Sequence, residues 1–159
     1  MALYVQLQNR GSIAITLNGL CGVMMKLGEF DEAEKRFREG LSIRREMGDS
    51  LGIAIALSNL SDIAESRCEY ESLEKMLHES EEIYQNLSDA RGVAIVQESK
   101  GRLAQKRKEY IPALNYYREA LALYRRIGDQ RGYVSFLELT LQLALEQRNT
   151  NAQCDFTEL

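Results

Sequence analysis

A single histidine, three cysteines and a dense scatter of carboxylates are the residues of this 159-residue chain that could do chemistry. His78 could serve as a general base only with a nucleophile or an orienting carboxylate beside it in space. It lies between Leu77 and Glu79 in an acidic stretch, and no second histidine exists to complete a zinc site. A solvated surface position is the reading that asks least of the sequence. Cys21, Cys68 and Cys154 are odd in number and lack C-x-x-C spacing, which suggests neither a disulfide framework nor a zinc cluster. Reduced thiols in a cytoplasmic protein fit them best, with Cys21 and Cys68 as core or turn residues.

The acidic runs at 29–34 and 69–74 fall where helices begin, and negative charge there complements the helix dipole. Gly11, Gly19 and Gly22 form no phosphate-binding loop; they read as places where helices pack closely. No nucleophile–base pair, metal set or cofactor motif emerges, so the expectation is a non-catalytic protein without a cofactor or metal.

Those residues must be positioned by something, and the composition says what kind of scaffold it is. Apolar residues make up 45% of the chain and charged residues 28%, as in ordinary globular proteins, and there is one proline. Scarce proline suits long helices, because proline removes a helix hydrogen bond and clashes with the preceding turn. The net charge of −4 argues against a duplex-binding surface, which needs clustered Lys and Arg. The basic segment 100–108 lacks interleaved aromatics, so nucleic acid is not an expected partner. No signal peptide and no 18-residue apolar stretch is visible, so no membrane partner is expected.

An internal repeat of 40 residues organises the chain. Phe30, Tyr70 and Tyr110 are 40 apart, as are Asp49, Asp89 and Asp129, Gly52, Gly92 and Gly132, Ile13, Ile53 and Val93, and Ala14, Ala54 and Ala94. Each unit reads as two helices. The first starts near Asp49, Asp89 or Asp129, where an aspartate can accept hydrogen bonds from the first-turn amides. The second spans about 30–47, 70–87 and 110–127, with apolar residues at helical spacing such as Phe30, Ala33, Phe37 and Leu41. Gly48 and Gly128 end two of these helices, where a left-handed residue is needed. Ser88 takes that place in the middle unit and predicts a looser turn.

The pattern Leu17-x2-Leu20-Cys21-x2-Met24-x3-Gly28-x-Phe30-x2-Ala33-x3-Phe37-x2-Gly40-Leu41 resembles the tetratricopeptide repeat, as does Gly101-x2-Ala104 with Tyr110-x2-Ala113-x3-Tyr117-x2-Ala120-Leu121. The 40-residue period resembles the longer-helix variant of bacterial signalling and regulatory proteins and of kinesin-light-chain-like adaptors. Departures fall at Gln97, Lys100, Leu73, Cys68 and Lys108. The resemblance implies an all-α, right-handed α-α superhelix of antiparallel helix pairs, about three and a half repeats in one domain. Residues 1–9 would end a preceding helix, 10–50, 51–90 and 91–130 would be repeats, 131–147 a terminal helix and 148–159 a tail. On this reading the chain is a segment of a longer array; the alternative is a small protein whose last helix pairs with a second copy. Leucines at 137, 139, 141, 143 and 145 make helix 131–146 apolar all round, a surface through which a homodimer could form.

The same resemblance makes the chain a protein-interaction scaffold whose first helices line a concave groove. The groove positions it implies are Asn18, Asn59, Asp62, Glu98, Arg102, Glu138 and Gln142, with Gly22 beside them. Asn59 is similar to an asparagine that related arrays use to hold a peptide backbone, and an amide suits that role because it both donates and accepts. The expected partner is a protein or peptide, and the parent a larger signalling or regulatory protein. The alternative is a small-molecule sensing arm of an ATPase-type transcription regulator, which calls for an aromatic-lined pocket. Residues 51–90 carry 2 basic and 9 acidic side chains, a net of −7, and residues 91–130 carry 9 and 4, a net of +5. Such polarity serves either attraction between units or orientation of a charged partner.

Overall fold

A computed structural model describes residues 2–130, 132–134, 136, 137, 140 and 141, with the backbone alone at 2–11, 14, 15 and 18. Six helices run in order: α1 (Ala2–Leu27), α2 (Phe30–Met47), α3 (Ser50–Ser66), α4 (Tyr70–Asn86), α5 (Ala90–Lys106) and α6 (Tyr110–Ile127). Helical residues resume at 132. No strand occurs among the described residues. The chain divides into two compact units, Met1–Ser88 and Asp89–Leu159.

Within the first unit, α1 pairs with α2 and α3 with α4, and α2 also packs on α3. Connections of two or three residues force each pair to run antiparallel. In the second unit α5 pairs with α6. α1 is unbroken through Gln8 and Asn9, the positions where the 40-residue period places a turn and a capping residue.

The turns obey a stricter rule than the repeat suggested. Positive φ falls at Gly28, Gly48, Cys68, Ser88, Lys108 and Gly128, one left-handed residue every twenty. Each helix end then closes with backbone hydrogen bonds that satisfy its last carbonyls, as where Glu29 N donates to Met24 O and Gly28 N to Met25 O. At the Ser88 turn φ is 55°, and Ser88 N donates to Gln85 O at 3.0 Å. The left-handed conformation is costly for a residue that carries a Cβ. Ser88→Gly and Lys108→Gly are each expected to raise stability by about 0.5–1 kcal/mol, the steric relief outweighing glycine's greater unfolded-state freedom. Urea midpoints that fall instead would show the turns to be unstrained.

The first-type helices are capped as anticipated. Asp49 accepts from Gly52 N (2.9 Å), Asp89 from Arg91 N and Gly92 N (3.1 and 3.0 Å), and Asp129 from Gly132 N (3.1 Å). Glu29, Glu69 and Glu109, which precede the second-type helices, make no such side-chain cap; their charge acts on the dipole alone.

In the first unit Cys21, Ala33, Phe37, Leu41, Ala56, Leu57, Leu60 and Ile63 form the core. Arg67 at the end of α3 reaches Asp31 and, at 2.5 Å, Glu34 at the start of α2. The hydrogen bond from Arg38, with that from Arg67, holds the Glu34 carboxyl below the usual range despite some burial. In the second unit Ala94, Ala104, Ala113, Tyr117, Ala120, Tyr124 and Phe136 pack together. Phe136 meets Tyr117 edge-on, ring centres 5.5 Å apart, and lies 5.7 Å from the Tyr124 ring. Leu73 and Gln97, which depart from the repeat pattern, are both buried, and Lys100 lies over the Tyr116 ring at 5.8 Å.

Candidate inner face of the first-type helices

Residues 51, 55, 59 and 62 share one face of α3, being four, four and three apart. Leu51 and Ile55 are exposed there, 46% and 37%, followed by half-buried Asn59 and exposed Asp62. The Asn59 side-chain amide makes no hydrogen bond to another described residue. Its two donors and its acceptor therefore remain available, on a surface that also offers aliphatic side chains.

The equivalent face of α5 is built differently. Glu98 accepts from Arg102 at 3.0 Å, and Arg102 also donates to Ser99 Oγ at 3.0 Å. Arg91 pairs with Asp129 at 3.1 Å. The Tyr124 hydroxyl, on α6, points to Glu98 Oε2 at 3.5 Å. The charges on this face thus engage one another, and Ile95, 39% exposed, is the apolar group between them.

Burial and the Glu98 carboxylate push Tyr124 up to about 12, with Asp129 contributing and Arg91 opposing. A tyrosine whose pKa is higher folded than unfolded favours the fold fully below the unfolded value of about 10. That contribution is lost as pH rises through about 12. Absorbance at 295 nm should show a late tyrosinate step that Tyr124→Phe removes and Glu98→Gln moves to lower pH. A step insensitive to Glu98→Gln would break the link between the two groups.

The structure thus brings Asn59 and Asp62 onto one face of α3, and Glu98 and Arg102 into one ion pair on α5. The side chain of Asn18 and residues Glu138 and Gln142 lie outside the described residues. Gly19 and Gly22 are not sites of close helix packing: both are exposed, and a Cβ on either would meet nothing within 4 Å. Close approach occurs instead at Gly101, where a Cβ would stand 2.2 Å from Tyr117 Cε1. Leu51, Ile55, Ile95 and Tyr124 were not among the expected site residues. The recurrence of isoleucine at 55 and 95, four residues before Asn59 and three before Glu98, was the available signal.

His78 is exposed, 3.7 Å from Glu82. Burial pushes the Cys21 thiol up, Arg36 partly opposing, while Cys68 is exposed in its turn. Among the described residues no group of three His, Cys, Asp or Glu could hold a metal, and no helix is long and apolar enough to cross a membrane. A surface cleft of about 420 Å³ is lined by Tyr124, Arg125, Gly128, Asp129, Gln130 and Tyr133.

The tetratricopeptide repeat family model matches residues 12–72 and 53–126. The chain belongs to that family, and its fold is the all-α repeat fold of antiparallel helix pairs. Among solved structures it is similar to BtubC (BKLC) from P. vanneervenii, with a TM-score of 0.63 and 18% identity over 86% of this chain. The chain spans 65% of the length of that structure, just under two thirds. No curated protein matches the sequence. Tetratricopeptide repeats generally mediate protein–protein interaction.

Proposed function

We propose that the chain is a non-catalytic scaffold that binds an extended peptide or a partner protein on the inner face of its first-type helices. The observation that carries this reading is α3: an uncommitted Asn59 amide beside exposed Leu51 and Ile55. An amide can bond an extended backbone at its donor and acceptor together, while the aliphatic pair receives apolar side chains. Asp62, also in the proposed set, lies on the same face of α3. Glu98 and Arg102 flank the corresponding face of α5 as a neutral pair, joined in the proposed set by Asn18, Glu138 and Gln142. The setting proposed is the repeat region of a cytoplasmic signalling or regulatory protein.

The test is a pull-down from source lysate with mass spectrometry, comparing wild type with Asn59→Ala, Ile55→Asp and a Glu98→Lys, Arg102→Glu exchange. The exchange keeps an ion pair on α5, so the fold should survive it. A partner held by wild type and lost, by about tenfold in affinity or more, in folded Asn59→Ala or Ile55→Asp supports the reading. Equal recovery by all three would remove the inner face from consideration.

The aromatic cleft at Tyr124 and Tyr133 favours a second reading, a small-molecule sensing arm. A metabolite held there would raise the melting temperature of wild type by mass action, and Tyr133→Ala would abolish the rise. A metabolite screen without a shift excludes it.

A further inference from the structure

Arginines at equivalent positions of the second-type helices are answered in α2 and not in α6. In α2, Arg38 pairs with Glu34 four residues before it, and Arg45 pairs with Glu79 of α4. Arg118 and Arg125 hold the same two positions on α6, eighty residues on. Leu114 and Leu121 stand four residues before them, where a carboxylate could have met the charge. Arg118, Arg125 and the neighbouring Arg126 are exposed and pair with no carboxylate among the described residues. Exposed Ile111, Asn115 and Ala122 complete this face at helical spacing, with Glu119 at its edge. The equivalent face of α4 has the opposite sign. α4 holds five carboxylates and one lysine, α6 three arginines and one glutamate. Glu71, Glu74 and Glu82 are exposed along α4, with exposed His78 between them. Glu74 and Glu81 are seven residues apart, about two helical turns, and so are Arg118 and Arg125.

We infer that the arginine face of α6 docks on the carboxylate face of α4 in a second copy of this chain, the two helices antiparallel. The equal spacing sets the register: Arg125 meets Glu74, Arg118 meets Glu81, and Arg126 lies toward Glu71. Ala122, small and uncharged, falls opposite His78 and lets the helices approach. The antiparallel sense brings the carbonyl end of α6, with its two arginines, beside the amide end of α4, with Glu71 and Glu74, so the helix dipoles reinforce the pairing. The occupant is a second copy because this chain carries both halves of the match. Exposed ion pairs are individually weak and are screened by salt, so the association is weak and sensitive to ionic strength. It uses the second-type helices and is separate from the Asn59 face of α3.

Analytical ultracentrifugation of the full chain, from about 5 to 500 μM, reads the association. The weight-average mass should rise with concentration in about 20 mM NaCl and fall back toward the monomer in about 0.5 M, where screening acts within a few ångströms. Arg118→Glu with Arg125→Glu should weaken self-association by about tenfold or more. Both side chains are exposed, so the circular-dichroism melt of that variant should match wild type. Glu74→Lys with Glu81→Lys should weaken it as much. Those two reversals add four charges and take the net from −4 to zero, so relief of general repulsion would instead strengthen association. Mixed in equal amounts, the two variants should associate again, because α4 of the first and α6 of the second keep their native charges. Asn59→Ala should change nothing. A chain that stays monomeric throughout in dilute salt overturns the inference. Association indifferent to salt or to the arginine substitutions overturns it too, and would place the contact on an apolar surface such as the leucine-rich stretch 137–145. Variants that each fail to associate and fail again when mixed would overturn it equally.

Discussion

Tyr117→Ala is expected to destabilise the second unit by about 3–5 kcal/mol, the range for deleting a fully buried ring. Tyr117 is 0% exposed, its hydroxyl donates to Gln105 Oε1 at 2.9 Å, and its ring meets Phe136 edge-on. The ring also lies on the bare backbone of Gly101, where a Cβ would come within 2.2 Å of it. Gly101→Ser should therefore cost about 3 kcal/mol, at the upper end of overpacking penalties. The repeat suggests the remedy. Ser61 and Leu77, both buried, hold the positions equivalent to Gly101 and Tyr117. Gly101→Ser combined with Tyr117→Leu should be clearly more stable than the sum of the single changes, by about 1–3 kcal/mol of coupling. Urea unfolding followed by circular dichroism gives all four values, and strict additivity would mean that the two positions do not share a space.

Phe37→Ala should cost the first unit about 3–5 kcal/mol as well. Phe37 is 2% exposed and joins Cys21 of α1 to Leu57, Leu60 and Ile63 of α3 through α2. The loss should appear as faster amide exchange in α1–α3, because those helices share the ring. Phe37→Leu, which copies Leu77, should cost only about 1–1.5 kcal/mol. Exchange in α1–α3 unchanged by Phe37→Ala would place the core elsewhere.

Much of the fold could be read from the chain before any coordinates. Asp49, Asp89 and Asp129 cap helices because a short carboxylate before a helix has free amides within reach, a purely local relation. The second-type helices follow from the spacing of Phe30, Ala33, Phe37 and Leu41, since a 3.6-residue period puts them on one side. Other features depend on what lies across a helix interface. Arg44 is buried, 5% exposed, against Gly52, where the equivalent positions 84 and 124 hold tyrosines. Nothing local to Arg44 marks it as buried; the missing side chain at Gly52 and the Asp49 carboxylate 3.5 Å away make it so.

The inner face divides along the same line. The family resemblance implies Asn59 as a groove position, and the structure leaves its amide uncommitted on α3. Glu98 and Arg102, four apart on α5, neutralise each other, with the Tyr124 hydroxyl closing the set from α6.

By itself the sequence determined the period, the helices and their caps, and membership of a repeat class, because these follow from contacts within about four residues or from exact recurrence at 40. Tertiary structure decided that Arg67 meets Asp31 and Glu34 of α2, which glycines lie against rings, and that Arg44 is buried against Gly52. Those depend on side chains brought together from different helices, where one residue's environment is set by the size and charge of another far along the chain.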